Sequence, residues 1–274
     1  MNQLDSMMKS FADKLFETYG TQCPNCGALL LRPKVLNKVT GKKMHGACFN
    51  CGYKEPLPTH TTPTNEKLSE QARKDATLKY FNAYSIYSSF EVFNHRFDNY
   101  TASTSAQKLV KQRCQKLANQ IAEEQTIHTM LLGNTGVGKT HLAVAMMYRI
   151  FELTHYRQHG MFVDWRQLIA DKKAGISQPD LQRKVDNSLH HLQTADFVII
   201  DDLGSERTTD FSLDLVDQLW RYRENLSTIV TSNLIGSAFQ EKYGNRAFSR
   251  MANHGVGNTI LFSDIEDHRM GALG

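Results

Sequence analysis

Two stretches of the sequence decide the fold: MLLGNTGVGKTH, residues 130–141, and TADFVIIDDLGSE, residues 194–206. The first has the spacing G-x-x-x-x-G-K-T, in which glycines allow successive backbone N–H groups to face phosphate oxygens. An apolar strand before it, residues 128–132, and a helix after it, residues 141–151, are the context that this loop requires. The sequence therefore predicts a P-loop nucleotide site rather than a chance glycine-rich turn.

The second stretch predicts the metal side of that site. A buried strand, residues 197–200, ends in Asp201, whose carboxylate we expect beside the Mg²⁺ that the Thr140 hydroxyl also binds. Lys139 is expected to reach the β- and γ-phosphates. The residues predicted to bind ATP are Gly133, Asn134, Thr135, Gly136, Val137, Gly138, Lys139, Thr140, His141 and Asp201.

Catalytic residues are expected at the ends of two strands. Asp202 occupies the position where many such ATPases carry Glu, and its shorter side chain predicts slow turnover. Glu206, four residues on, is a weaker candidate for the same role. Asn233 follows the predicted strand 227–231 and is expected to touch the γ-phosphate or orient the attacking water, the alternative being an ordinary strand-end turn.

Two arginines near the end of the chain fit a different role. Arg246 and Arg250 lie four residues apart, hence on one helical face. Guanidinium groups presented to the γ-phosphate of a neighbouring subunit act as arginine fingers. The alternative is that either side chain is an ordinary surface or ion-paired residue.

Four of the five cysteines lie near the N-terminus as CPNC and CFNC. Two C-x-x-C pairs, each followed by glycine, predict a structural zinc ribbon with Cys23, Cys26, Cys48 and Cys51 as Zn²⁺ ligands. Disulfides are the alternative, and reduced intracellular conditions oppose them. Cys114, alone on a predicted helix, is expected to be an ordinary packed residue.

Composition and charge set limits on the class of protein. Hydrophobic residues are 41% and charged residues 22% of the chain, as in soluble globular proteins. The N-terminal segment lacks the pattern of a signal peptide and no apolar run is long enough to span a bilayer, so we expect a cytoplasmic protein with no membrane partner. Residues 1–60 hold 8 Lys and Arg against 4 Asp and Glu, which accounts for the whole net charge of +4.

The order of elements predicts the domain organisation. We expect a zinc-ribbon domain at residues 1–54, a proline- and threonine-rich linker at 55–66, a connecting helix at 67–89 and an ATPase domain at 90–274. Within the ATPase domain the pattern predicts a helix at 105–124, a strand at 160–163 and helices at 165–173 and 181–193. The aromatic residues at 80–100 are expected to close the core, with base stacking as the alternative.

The span from about Phe90 to Phe262 resembles the AAA+ ATPases of the DnaC, DnaI and IstB group. The resemblance lies in GNTGVGKTHLA, VIIDDLGSE, IVTSN and RAFSRM, in that order. It implies an α/β fold with a five-stranded parallel sheet in the order 5-1-4-3-2, and no C-terminal helical lid. It also favours Arg250 over Arg246 as the finger.

The resemblance further implies a function. Loaders of this group bind the replicative hexameric helicase through an N-terminal domain and deliver it onto single-stranded DNA, with ATP governing capture and release. A finger acting in trans implies a homo-oligomer when ATP is bound or on the helicase. We expect Arg166, Lys172 and Lys173 to contact DNA, although Asp171, Asp180 and Asp186 are present to balance these cations.

Two other classes of protein remain open. A transposase helper ATPase like IstB would bind duplex DNA, and the zinc ribbon argues against it. A nucleic-acid-binding module with a degenerate nucleotide site is made conceivable by Asp202, but Lys139, Thr140 and Asp201 are all in place.

Overall fold

The computed structural model of the protein describes residues 14–38, 41–55, 65–263 and 265. The chain divides into two compact units, Met1–Thr64 and Asn65–Gly274. Most of the expected linker at 55–66 lies outside the described residues. Within the part of the chain that is described, no helix is both long and apolar enough to cross a bilayer.

The first unit is built on an antiparallel hairpin of β1 (Phe16–Gln22) and β2 (Leu29–Pro33). Glu17 lies directly opposite Arg32 in the register, and their side chains form an ion pair at 2.7 Å. Opposite charges at facing positions stabilise an antiparallel pair. Among the described residues of this unit, the buried hydrophobic cluster consists of Cys23, Leu30 and Cys48, with Tyr19, Ala28 and Tyr53 packed against it.

The second unit begins with α1 (Asn65–Tyr84), a 3₁₀ turn (Phe90–Asn94) and α2 (Ser105–Ala122). An alternation of strands and helices follows: β3 (His128–Leu132), α3 (Lys139–Leu153), β4 (Gly160–Asp164), α4 (Trp165–Gly175), α5 (Pro179–Leu192), β5 (Phe197–Asp201), α6 (Asp210–Arg223), β6 (Ser227–Ser232), α7 (Ala238–Asn253) and β7 (Thr259–Leu261). Each predicted element of the ATPase domain is present, with both ends within two residues of the prediction.

The five strands of this unit form one parallel sheet in the order β4-β5-β6-β3-β7. When these strands are numbered 1 to 5 in chain order, from β3 to β7, the sheet order read from β7 to β4 is 5-1-4-3-2. The predicted topology is confirmed. Alternate strand residues face opposite layers, as the period of two in a strand requires. Phe197 and Ile199 pack with α2 and α3, whereas Val198 and Ile200 pack with α4 to α7.

The segment before the ATPase domain differs from the prediction. The helix expected to continue to Ser89 ends at Tyr84. Ile86 then pairs with β4 as an extended residue, because its N–H donates to Phe162 O and its carbonyl accepts from Asp164 N. This places residues 85–87 along the edge of the sheet, within the second unit.

The aromatic residues near position 90 are mostly core, as predicted. Phe81, Phe93, Phe97 and Tyr100 are all buried in the layer that contains α3. Phe90 is the exception, with 66% of its surface exposed. Cys114 is fully buried in α2, which confirms that it is an ordinary packed residue.

Candidate functional site

The P-loop takes the shape that its glycines were expected to allow. Gly138 has φ +91° immediately before α3, and a Cβ there would lie 2.9 Å from the Tyr100 ring. Gly133 has φ +154°, and a Cβ there would lie 2.8 Å from Phe262 Cβ. Both positions need glycine for conformation and for space. The N-terminus of α3 therefore faces the cavity with its first N–H groups unblocked, which suits an anion.

A cavity of about 730 Å³ lies against this loop. Nine residues predicted for ATP binding or catalysis line it: Thr135, Gly136, Gly138, Lys139, Thr140, His141, Asp201, Asp202 and Asn233. Three other predicted loop residues support the cavity without lining it. Val137 is buried, while the backbone carbonyls of Gly133 and Asn134 accept hydrogen bonds from Lys139 Nζ at 2.8 and 2.6 Å.

Thr140 and Asp201 lie together as a pair of oxygen donors. The Thr140 hydroxyl donates to Asp201 Oδ1 at 2.9 Å, and the Thr231 hydroxyl donates to the same oxygen at 2.7 Å. Burial raises the pKa of Asp201 to about 6 despite these two hydrogen bonds. Hydroxyl and carboxylate oxygens are ligands that Mg²⁺ prefers, so the residues present fit a magnesium ion.

Asn233 is brought to the P-loop lysine. Its side-chain oxygen accepts a hydrogen bond from Lys139 Nζ at 2.8 Å, and its amide nitrogen lies 3.4 Å from the Thr135 hydroxyl. The tip of β6 therefore presents a polar group at the point where the lysine would meet the terminal phosphate. An ordinary strand-end turn would not require this contact.

Asp202 has an unusual backbone, with φ +60°. Asp tolerates the left-handed region better than most residues because its short polar side chain bonds locally. Its N–H donates to Thr231 Oγ1 at 2.9 Å and its carbonyl accepts from Ser205. This turn directs the chain away from the sheet immediately after the acidic pair and leaves Asp202 at the cavity wall.

Glu206 does not line the cavity and is held by α7. It accepts hydrogen bonds from Tyr243 Oη at 2.7 Å and Gly204 N at 2.9 Å, and Lys242 Nζ lies 3.3 Å away. The carboxylate is almost fully buried. These contacts connect the acidic loop to α7, so we expect a structural role for Glu206.

One wall of the cavity consists of residues that were not predicted from the sequence to belong to the site. The missed residues are Glu91, Val92, His95, Asn99, Tyr100 and Thr101. The ring of His95 stacks on that of His141 at 4.2 Å, and His141 Nε2 lies 2.9 Å from Arg96 O. Burial is the main cause that lowers the pKa of both histidines. Polar residues interleaved with aromatics in EVFNHRFDNY were the available signal, but the aromatics were expected to close the core, with base stacking as the alternative.

The two arginines lie in the second half of α7, after a break at Gly244, which has φ +79°. Neither lines the nucleotide cavity of its own chain. Arg246 is exposed, whereas Arg250 Nη1 is paired with Asp217 Oδ1 at 2.6 Å. That both lie outside the cavity agrees with a role toward another subunit and does not test it.

The three residues predicted to contact DNA differ in whether their side chains already form an ion pair. Arg166 and Lys173 are exposed on α4. Lys172 Nζ is paired with Asp186 Oδ1 of α5 at 2.6 Å, and Arg183 is paired with Asp180. The sequence left open whether nearby aspartates balance these cations. The structure shows such an ion pair for Lys172.

The four N-terminal thiols form one cluster. Their sulfur atoms all lie within 4.8 Å of one another, with 3.4 Å between Cys23 and Cys51 and 3.5 Å between Cys26 and Cys48. Zn–S bonds of about 2.3 Å in a tetrahedron place the sulfurs about 3.8 Å apart. No disulfide is formed among these cysteines. The donor set and spacing therefore fit Zn²⁺.

The two cysteine pairs have the same backbone. Gly27 N donates to Cys23 O, and Gly52 N donates to Cys48 O, with φ of +73° and +76° at the glycines. Such turns direct backbone N–H groups at the sulfurs. A hydrogen bond from the Ala28 backbone, with others from the Asn50 side chain and Cys48, lowers the pKa of Cys26 to about 6. For Cys26, the thiolate form that binds metal is favoured accordingly.

A P-loop at the tip of β3, an acidic pair after β5 and an asparagine after β6 define the second unit as an ATP-binding domain of AAA+ type. Residues 52–252 match the family described as IstB-like ATP binding protein, and the chain belongs to that family. The match spans every residue of the nucleotide site and both α7 arginines.

Curated relatives have a more specific name. The chain is similar to the replicative helicase loader DnaC of Buchnera aphidicola subsp. Acyrthosiphon pisum (strain APS), with 27% identity over 173 residues, which is 61% of this chain and 65% of that protein. Its counterpart from B. aphidicola subsp. Schizaphis graminum (strain Sg) is 26% identical over the same shares. The chain thus spans 65% of the length of the curated relatives that it matches.

Solved structures agree on the fold. A crystal structure of the DnaC helicase loader superposes with a TM-score of 0.53 and 24% identity, covering 65% of this chain and 100% of that chain. A crystal structure of DnaI gives 0.52 and 19%, covering 65% of this chain and 95% of that chain. These likenesses confirm the expected AAA+ fold.

Proposed function

We propose that the protein is an ATP-dependent loader that delivers a replicative hexameric helicase onto single-stranded DNA during replication initiation. The observation that carries this proposal is the likeness to relatives named replicative helicase loaders. The family match across the whole nucleotide site supports it. Such a role is exercised in the cytoplasm, where reduced thiols suit a zinc site.

The nucleotide site is proposed to hydrolyse ATP slowly. Thr140 and Asp201 would hold the Mg²⁺, which neutralises phosphate charge when bound. Lys139 and Asn233, 2.8 Å apart, would both address the terminal phosphate. Asp202 would accept the proton of the attacking water, and its short side chain on a left-handed backbone limits its reach.

Arg250 and Arg246 are proposed to act on the neighbouring subunit's nucleotide. For Arg250 this requires the pair with Asp217 to open, whereas Arg246 is already exposed. The group's arginine box favours Arg250. Mixing Lys139→Ala chains with Arg250→Ala chains on the helicase tests the arrangement. If fingers act in trans, an intact site and an intact finger meet in some pairs, and the mixture recovers ATPase that neither variant has alone.

The first unit is proposed to be a zinc ribbon that binds the helicase. Apolar side chains are exposed on it: Leu29 at 53%, Val35 at 67%, Leu36 at 55%, Met44 at 45% and Phe49 at 66%. Five exposed large apolar side chains in so small a unit support a protein-binding role, and one contiguous patch of them would be an interface. Phe49 lies inside the second cysteine pair, where the metal would fix its position.

Arg166 and Lys173 are proposed to contact the DNA backbone. Lys172 can contact DNA only if its ion pair with Asp186 opens. Contacts from such cations to the DNA backbone are tolerant of sequence and sensitive to salt. Replacing Arg166 and Lys173 together by Ala should weaken oligonucleotide binding and reduce its salt dependence. Unchanged affinity would remove these positions.

A loading assay tests the whole function. The cognate helicase is given circular single-stranded DNA and ATP, and DNA-bound helicase is measured with wild-type protein, Lys139→Ala, Phe49→Ala and the exposed control Phe211→Ala. We expect wild-type protein and Phe211→Ala to increase the bound helicase, and the other two to fail. Absence of stimulation together with ATP-dependent binding to duplex DNA would support the transposase-helper class instead.

A further inference from the structure

The helix α7 consists of two halves, residues 238–243 and residues 245–253, which meet at Gly244. This glycine has φ +79° and ψ 166°, a backbone conformation that is open almost only to glycine. A Cβ at this position would lie more than 4 Å from any atom outside its own stretch of helix. The glycine is therefore needed for the conformation of the break and not for space. Residues held in such conformations cluster at functional sites, so the break is a candidate functional feature.

The first half of α7 is tied to the acidic turn, residues 201–206, beside the nucleotide site. Lys242 Nζ donates hydrogen bonds to the carbonyls of Gly204 and Glu206 at 2.6 and 2.8 Å. The Tyr243 hydroxyl donates to Glu206 Oε1 at 2.7 Å. Only 14% of the Lys242 side chain and 3% of the Glu206 side chain are exposed, so water competes little for these hydrogen bonds. Lys242 therefore fixes the residues just before the break to the turn.

The acidic turn is a firm anchor for the first half of α7. Asp202 N donates to Thr231 Oγ1 at 2.9 Å, and Leu203 N donates to Thr231 O at 3.0 Å. The Ser232 hydroxyl donates to the carbonyl of Leu203. The turn is thus bound to the tip of β6, next to the nucleotide cavity. The same strand tip therefore positions the nucleotide site and, through the lysine, the start of α7.

The second half of α7 carries both proposed fingers and has partners of its own. Arg246 is exposed, and Arg250 Nη1 is paired with Asp217 Oδ1 at 2.6 Å. Met251 O lies 3.2 Å from His128 Nδ1 in β3. An arginine finger has to reach a phosphate of another subunit, and a misplacement of about 1 Å can cost about 10²-fold in rate. The direction in which this half leaves the break therefore decides whether the fingers reach that phosphate.

We infer that Lys242 is a positioning residue for the arginine fingers. By binding the first half of α7 to the acidic turn, it fixes the direction in which the second half leaves Gly244. Lys242 does not line the nucleotide cavity of its own chain, so it acts through the arginines. The inference rests on the proposed action of Arg246 and Arg250 on the neighbouring subunit's nucleotide, and goes beyond it by naming the residue that directs them.

The test measures ATPase of the helicase-bound full chain with Lys242→Met, which removes the donor and keeps an unbranched side chain. Alone, this variant should lower kcat by about 10-fold or more, because an arginine finger is worth about 10³–10⁵ in rate. The affinity for a fluorescent ATP analogue should be unchanged. Lys242→Arg should keep most of the activity, because guanidinium N–H groups can donate to the same carbonyls. The matched control is Lys79→Met, at an exposed lysine on α1.

Mixing shows which subunit's nucleotide site the substitution affects. Lys242→Met chains mixed with Lys139→Ala chains should recover ATPase, since the intact site of the first meets the intact fingers of the second. Gly244→Ala disfavours the break and should show the same loss and the same recovery. It serves as the second variant if Lys242→Met melts at the assay temperature.

Two results would overturn the inference. One is full activity of Lys242→Met alone, and the other is a loss that mixing does not recover although it does recover Arg250→Ala. Either result leaves the finger proposal standing. If the mixture with Arg250→Ala also fails to recover, the finger proposal fails and the inference fails with it.

Discussion

Lys139 Nζ donates a hydrogen bond to Asn233 Oδ1 at 2.8 Å, joining the P-loop to the tip of the neighbouring strand. Ninety-four residues of chain separate the two, and the parallel pairing of β3 with β6 brings them together. A change at either residue is therefore expected to alter the position of the other.

Asn233→Ala should reduce ATP turnover by about 10²-fold, because the residue is expected to orient the water or the terminal phosphate in the transition state. Nucleotide affinity should change little, since the loop and Lys139 remain. Steady-state ATPase and a fluorescent-nucleotide titration separate the two quantities. The control is Asn187→Ala, an exposed asparagine on α5. Full activity of Asn233→Ala would assign Asn233 to the turn alone.

Substitutions of Asp202 and of Glu206 should affect different properties of the protein. Asp202→Asn is expected to lower turnover by about 10²-fold or more with an unchanged melting temperature, because it removes a base and no packing. Glu206→Gln is expected to lower the free energy of unfolding by about 1–3 kcal/mol, because a buried charged partner of Tyr243 and Lys242 is lost. Thermal melts and ATPase rates on both variants check this. The reverse pattern would exchange the roles given to the two acids.

Cys48→Ser should abolish the zinc site. Wild-type protein is expected to carry one zinc ion per chain by elemental analysis, and the variant none. Its first unit should become sensitive to limited proteolysis, because Cys23 and Cys48 belong to the small buried cluster among its described residues. Cys114→Ser is the matched control, since Cys114 is buried in α2 outside the cluster. Retention of zinc and of protease resistance by Cys48→Ser would contradict the ribbon.

Arg223 is fully buried at the end of α6, and it connects this helix to the end of α5 and to β6. It donates to the carbonyls of Leu192, Ala195 and Ser227 and to the Thr228 hydroxyl. Arg223→Leu should lower the free energy of unfolding by about 3 kcal/mol or more, because several buried carbonyls lose their partner. Denaturant unfolding measures it, with the exposed Arg221→Leu as control. Equal stability of the two variants would refute this role.

His128 should make stability depend on pH. Burial is the main cause that lowers its pKa in the folded protein, against 6.5 when unfolded. Below pH 6.5 the unfolded chain binds a proton at His128 that the folded chain does not bind. The stability that neutral His128 contributes is therefore complete above pH 6.5 and is lost as the pH falls. The free energy of unfolding should therefore fall more steeply in wild type than in His128→Gln between pH 7 and 5, by at most about 1.4 kcal/mol per pH unit. Parallel curves would contradict it.

Most strands and helices of the ATPase unit were predicted from the sequence because their signals are local, whereas α6 was not predicted. The P-loop glycines and the apolar run at 197–200 fix their conformations locally, as the two C-x-x-C pairs do in the first unit. The sheet order came from the resemblance to the DnaC, DnaI and IstB group. The structure confirms both levels.

The residues that were missed depend on contacts between distant parts of the chain. His95 reaches the cavity only because the segment after α1 folds back over α3, where it stacks on His141. The pairings of Lys172 with Asp186 and of Glu206 with Tyr243 each join two elements. Helical spacing identifies which residues share a face, but it does not tell which partner lies opposite that face.

Sedimentation of this chain mixed with a replicative hexameric helicase tests whether the proposed loader captures the helicase under the control of ATP. We expect one defined complex whose stability changes on adding ATP. The complex should be unaffected by ATP with Lys139→Ala and should be lost with Cys48→Ser. Separate sedimentation of the two proteins, with and without ATP and at concentrations well above those expected for a loader complex, would contradict this expectation.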